Sequence, residues 1–157
     1  MSIEDAGRQT YLEEANDLLG ELETAVLELE ENPSDANIID RIFRALHTVK
    51  GSGSMFGFDD VALFTHDLEN VYDLLREGKL QVDKEILDLT LAARDHISFL
   101  LNEVPFGEQV DLEKNKGLTT RFKELCQTGG MAQEREQGQA TPDGAAEKDQ
   151  EGSQTVT

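Results

Sequence analysis

The chain has 157 residues, 33 of them acidic and 14 basic, and a formal charge of −19 with histidine neutral. That length suits one domain with a tail and leaves little room for a second core; that charge repels nucleic acid and anionic membrane surfaces, so neither is an expected partner. One cysteine, Cys126, makes neither an internal disulfide nor a multi-thiolate metal site, and without a basic-then-apolar leader or an apolar run near the roughly 20 residues of a membrane span the sequence predicts a soluble, cytoplasmic protein.

Helical periodicity begins with Tyr11, Ala15, Leu18, Leu22, Val26 and Leu29, which fall on one face of a 3.6-residue repeat. Pro33 interrupts it, and Ser34 or Asp35 is placed to cap a second helix with the stripe Ile39, Ile42, Phe43, Leu46 and Val49. A third stripe runs through Val61, Phe64, Leu68, Val71 and Leu75, with Asp59 or Asp60 as its cap and Gly78 as its end. The fourth uses Ile86, Thr90, Ala93, Ile97, Leu100, Leu101 and Val104, starting at Asp83 and stopping before Pro105.

No strand pattern competes with these four. Amphipathic helices on short turns can cover their stripes only with one another, so the expected fold is all-α, an antiparallel four-helix bundle with an apolar core throughout. Leu118, Phe122 and Leu125 suggest an appended fifth helix starting near Asp111 and interrupted by Gly117. Composition then shifts at Gly129 and Gly130 to Gly, Gln, Glu, Ala, Ser and Thr. The expected division is a domain over 1–127 and a disordered acidic tail or interdomain linker over 128–157.

The chemically informative segment is His47-Thr48-Val49-Lys50-Gly51-Ser52-Gly53-Ser54-Met55-Phe56-Gly57-Phe58. At about 100° per residue from Leu46, the centre of the buried stripe, His47 sits at the wet edge of its helix. Lys50 shares that side. Gly51, one turn from His47, presents no side chain to obstruct an approaching protein, and Arg44 belongs to the same partner-facing surface. His66 and Glu69 lie three residues apart on the third helix. If the connecting turn falls at 53–58, antiparallel packing brings Glu69 close enough to touch His47. Met55, Phe56 and Phe58 are expected to pack in the core or turn, and His96 to lie on the surface.

His-x-x-Lys-Gly followed by Gly57-Phe58 resembles the histidine-phosphotransfer (HPt) signature, and Thr65-His66-x-Leu68-Glu69-Asn70 narrows the resemblance to the first domain of the bacterial chemotaxis kinase CheA, over roughly residues 8 to 125. The resemblance implies a five-helix domain in which the second helix runs to about Gly53. It implies that His47 is the phosphoacceptor and that Lys50, His66 and Glu69 form a hydrogen-bonded polar group with it. Such chemistry needs an imidazole nitrogen free of its proton and a carboxylate, here Glu69, bonded to the other nitrogen.

The chain has no Gly-x-x-x-x-Gly-Lys-Ser/Thr run. It reads as a phosphoryl carrier whose His47 accepts the γ-phosphoryl group from a CheA-type kinase catalytic domain, which supplies the ATP and Mg²⁺. It passes the group to the aspartate of a response-regulator receiver, CheY- or CheB-like, that brings its own Mg²⁺. The domain itself is expected to be monomeric and to hold no cofactor or metal. Two alternatives stand beside this reading. One is a free-standing HPt relay protein outside chemotaxis. The other is a metal-binding bundle, for which two Glu-x-x-His pairs are expected and one His66-x-x-Glu69 in reverse order is found. An inert acidic adaptor would carry no phosphoryl group on any histidine.

Overall fold

The computed structural model describes residues 2–108 and 115–139 of the chain. Five α-helices run in order: α1 (Ile3–Glu31), α2 (Ala36–Met55), α3 (Asp59–Arg76), α4 (Lys84–Asn102) and α5 (Lys116–Gln139). By contact density the chain divides into two units, Met1–Lys123 and Glu124–Thr157, the second holding the C-terminal part of α5. None of the helices, over the described residues, is long and apolar enough to cross a membrane.

Local signals set the helix ends. Ser2 and Asp5 form a reciprocal capping box at the start of α1. Asp35 accepts from the Asn37 and Ile38 amides, and Asp83 from the Ile86 amide, as the sequence predicts for α2 and α4. For α3 the expected carboxylate cap is not found. Phe58 occupies the cap position without a side-chain bond, and Asp59 and Asp60 move into the first turn, where negative charge still favours the helix dipole. Gly78, with φ of 77°, closes the turn after α3 in a conformation that disfavours other residues.

In the first unit α2 packs most extensively on α3, while α1 adjoins α2 and α4, and α3 adjoins α4, so four helices close around one core. Leu19, Leu22, Val26 and Leu29 of α1, Ile42, Leu46 and Val49 of α2, Val61, Leu68 and Val71 of α3, and Ala93 and Ile97 of α4 are all nearly inaccessible. Leu19 takes the buried place expected of Leu18, which is half-buried. Adjacent leucines give two nearly equivalent stripes, and the helix turns so that Leu19 and Ala25 face inward. Phe122, from the start of α5, is fully buried and meets Phe64 edge to face at 6.1 Å between centroids.

The core is not apolar throughout, contrary to expectation: Thr65, Glu69 and Thr90 are buried. Thr90 is satisfied locally, with the Tyr72 hydroxyl 2.8 Å away and the Ile86 carbonyl 2.7 Å away. Nor does Met55 enter the core. It is 75 % exposed, because α2 ends there and the chain turns back at Gly57, so that Phe58 takes the inner position. His96, expected on the surface, is half-buried; Asn115 lies 2.5 Å from its Nδ1 and the Phe64 ring meets it edge to face. The predicted start of the fifth helix near Asp111 lies outside the described residues. The helix then continues past Gly129 and Gly130, since the helix formers after them offset the glycines' cost of about 1 kcal/mol each.

Gly51 and Gly53 lie in the last turns of α2, where glycine weakens a helix. Helix α2 nevertheless runs through both, as the family resemblance implies, and is braced there from α1. Tyr11 donates from its hydroxyl to the Val49 carbonyl at 2.9 Å and packs on the Phe58 ring at 5.1 Å. A Cβ on Gly53 would stand 2.8 Å from that hydroxyl, whereas one on Gly51 would meet nothing within 4 Å. The two glycines should therefore respond oppositely to alanine. In urea denaturation Gly51→Ala is expected to raise stability by up to about 1 kcal/mol. Gly53→Ala should lower it by roughly 1 kcal/mol, because the buried hydroxyl must leave its carbonyl.

Candidate functional site

The turn at Phe56–Phe58 folds α3 back along α2 and brings Glu69 level with His47 and Lys50. Glu69 is 5 % exposed, and a carboxylate at that depth requires partners on its oxygens. Both come from α2. His47 Nδ1 lies 2.5 Å from Oε2, and the Lys50 ammonium pairs with Oε1. Residues three apart on α2 thus reach the two oxygens of one carboxylate on α3.

Burial pushes the Glu69 carboxyl up, but the hydrogen bonds and charges of Lys50 and His47 outweigh it and hold the group below its ordinary value of 4.5. At neutral pH the carboxylate is ionised and accepts only, so Nδ1 must carry the proton and donate it. In the neutral ring Nε2 is then left with its lone pair. The His47 side chain is 63 % exposed, against 7 % for that of Glu69. The arrangement is an imidazole held from inside and open from outside, one that is chemically able to act as a nucleophile through its outer nitrogen.

Gly51 adds nothing to obstruct that open side. Arg44, one turn before His47, is 72 % exposed and paired with Asp40. His66 was expected to extend the polar group, and the structure does not bring it to His47 or Glu69. Its Nδ1 lies 3.5 Å from the Asn70 amide nitrogen and 3.7 Å from Asp67 Oδ1. Three residues on a helix differ by about 60° in direction; Glu69 turns into the α2 contact, and His66 stays 58 % exposed beside it.

Phe43 has a place at the site that the sequence pattern assigned to the core. It is half-buried, and its ring lies within 14° of parallel to the His47 imidazole with centroids 6.0 Å apart. The spacing of four from His47 was the available signal.

Because Glu69 ionises more readily in the folded chain than in the unfolded one, its pairing stabilises the fold above the unfolded value of 4.5, and that contribution is lost as pH falls through the lower folded value. The stability difference between the native chain and Glu69→Gln should shrink as pH falls from about 5 through the acid range in which Glu69 takes up its proton. Urea titrations across that range measure this; a difference independent of pH would mean that Glu69 is not held in its ionised form.

A family model described as the Hpt domain matches residues 7–104. The chain is 38% identical over 91 residues to the chemotaxis protein CheA of Borreliella burgdorferi, covering 58% of this chain and 10% of that protein. It is 34% identical over 119 residues to CheA of Klebsiella aerogenes, covering 76% of this chain and 17% of that protein. The chain therefore spans less than a fifth of the length of these relatives. Among solved structures, the CheA phosphotransferase domain from Thermotoga maritima is 33% identical, with a TM-score of 0.62 over 66% of this chain and 97% of that one. A solution structure of the histidine phosphotransfer domain of CheA is 29% identical, with a TM-score of 0.65 over 79% and 93%. The Hpt match takes in all of α2, α3 and α4 and every residue of the His47, Lys50 and Glu69 cluster, and the chain belongs to the Hpt domain family.

Proposed function

We propose that this chain is the phosphoacceptor domain of a CheA-type chemotaxis kinase, with His47 Nε2 as the nitrogen that holds the phosphoryl group. The observation that supports this most directly is the His47 Nδ1 to Glu69 bond, with the imidazole otherwise open to solvent. A CheA-type catalytic domain supplies ATP and Mg²⁺. As the Nε2 lone pair forms a bond to the γ-phosphorus, the bond from that phosphorus to the ADP oxygen breaks. The proton on Nδ1 stays where it is, so the ring passes from neutral to cationic beside an anionic carboxylate, and the partner charge is already in place. Glu69 need not take the proton. Lys50 adds a positive charge on the same side for the phosphoryl oxygens.

Return of the group takes the same path in reverse. A receiver aspartate, CheY- or CheB-like and holding its own Mg²⁺, forms a bond to phosphorus as the N–P bond breaks, and neutral imidazole leaves with its lone pair restored. This chain acts as a carrier, orienting a reactive nitrogen while each partner contributes its own metal. All three clustered side chains come from a single protomer, which supports action as a monomer. Dependence on ATP supports a cytoplasmic setting, and the charge of −19 argues against nucleic acid or membrane as partners. We assign residues 1–127 to the phosphotransfer domain. The shortage of large apolar residues from 128 to 157 supports reading that segment as a link between domains. His66 is assigned an accessory role beside the acceptor rather than a bond to it.

With labelled ATP and a CheA-type catalytic domain, His47→Gln is expected to take up no label; equal labelling would reject this histidine. Glu69→Gln should remain helical and accept the group about 10- to 100-fold more slowly. An unchanged rate would leave Glu69 with a structural role alone.

A further inference from the structure

The bond to Glu69 fixes one nitrogen of His47 but leaves the ring able to pivot about the line from Nδ1 to Oε2. With 63 % of the side chain exposed, little else is available to stop it. We propose that Phe43 and Arg76 are positioning residues for His47, Phe43 as the flat surface against which the imidazole rests and Arg76 as the clamp that holds Phe43 in place. The proposal rests on the reading of His47 as phosphoacceptor, and neither residue would touch the phosphoryl group.

Three observations join to support it. Phe43 and His47 are one turn apart on α2, and their rings are near parallel at 6.0 Å, an offset stack that resists pivoting. The guanidinium of Arg76, from α3, sits 3.7 Å from the centroid of the Phe43 ring. Arg76 is itself held from two helices: Nη1 lies 3.2 Å from Asp40 Oδ1 on α2, and Nη2 lies 2.8 Å from Asp73 Oδ1 on α3. Asp40 is shared with Arg44.

Solvent-exposed ion pairs such as these add little to stability. Their effect is directional: a flexible side chain with two anchors spends its time over one aromatic face. The network also explains why a half-buried phenylalanine stands beside the imidazole where the core does not require one. The face of His47 is set by Phe43 and its edge by Glu69, so Nε2 keeps one direction in space. For attack on phosphorus in line with a leaving oxygen, direction governs the rate.

The test uses the full chain, ¹⁵N-labelled, with variants Arg76→Ala, Phe43→Leu and Phe43→Tyr, each checked for helicity. Two quantities are read: the orientation of the His47 ring, from NOEs between its ring protons and the α2 backbone amides, and the kcat and KM of phosphorylation by a CheA-type catalytic domain. Arg76→Ala and Phe43→Leu are expected to convert a single ring orientation into an average of several, with the Nδ1–H tautomer kept by Glu69. Both should lower kcat by roughly tenfold with KM little changed. Phe43→Tyr, which keeps the stack, should recover most of the loss seen with leucine. A native ring orientation and native kcat in both Arg76→Ala and Phe43→Leu would overturn the proposal, as would a rise in KM alone. Should Phe43→Leu fail to fold, Arg76→Ala decides, since it removes only a surface side chain. If His47→Gln is labelled as fast as the native chain, the phosphoacceptor reading fails, and the ring-orientation measurement still judges the clamp independently.

Discussion

A carboxylate buried between two helices sets the terms for the rest of this structure. Glu69 is too deep to be left to water, so its ionised form persists only while α2 supplies a partner to each oxygen, the His47 hydrogen bond to one and the Lys50 charge to the other. That requirement fixes the register of α2 against α3. It also requires α2 to stay helical through Lys50 and into the glycines beyond it, where Tyr11 reaches across from α1 to hold the Val49 carbonyl. Gly51 leaves the surface near His47 open, and the brace keeps the helix formed where the two glycines weaken it.

In the function we propose, the same carboxylate selects the chemistry. In the proposed reaction it accepts the Nδ1 hydrogen bond and leaves Nε2 as the nucleophile, and its negative charge awaits the positive charge that a phosphoryl bond creates on the ring. Charge is organised on a larger scale as well. In a chain of −19, α2 is the element among α1–α4 in which basic residues outnumber acidic ones, with Arg41, Arg44 and Lys50 against Asp40. An anionic group approaching the helix that presents His47 therefore meets less repulsion than it would elsewhere on the bundle.

Much of this was legible in the residues themselves. Four stripes, the Asp35 and Asp83 caps, and the facing of His47 and Glu69 across a short turn arise from a 3.6-residue repeat and elementary capping chemistry, and the structure has each of them. What escaped was decided between helices. Leu18 and Leu19 are equivalent in periodicity, and only packing chooses Leu19. Met55 is apolar enough for a core, yet stands outside because the chain reverses after it. Phe43 fits the stripe, but its partner Arg76 is 33 positions away in sequence and no spacing rule connects them. His66 and Glu69 share a side of α3 in projection, and the small angle between them separates a buried carboxylate from an exposed imidazole.

If Glu69 designates Nε2 of His47 as the phosphoryl-bearing atom, the site of attachment in the phosphorylated chain reveals it, read from the ring-nitrogen couplings to phosphorus. Phosphorus is expected on Nε2, with the Nδ1 proton retained and still bonded to Glu69. Phosphorus on Nδ1, or on a histidine other than His47, would refute that designation.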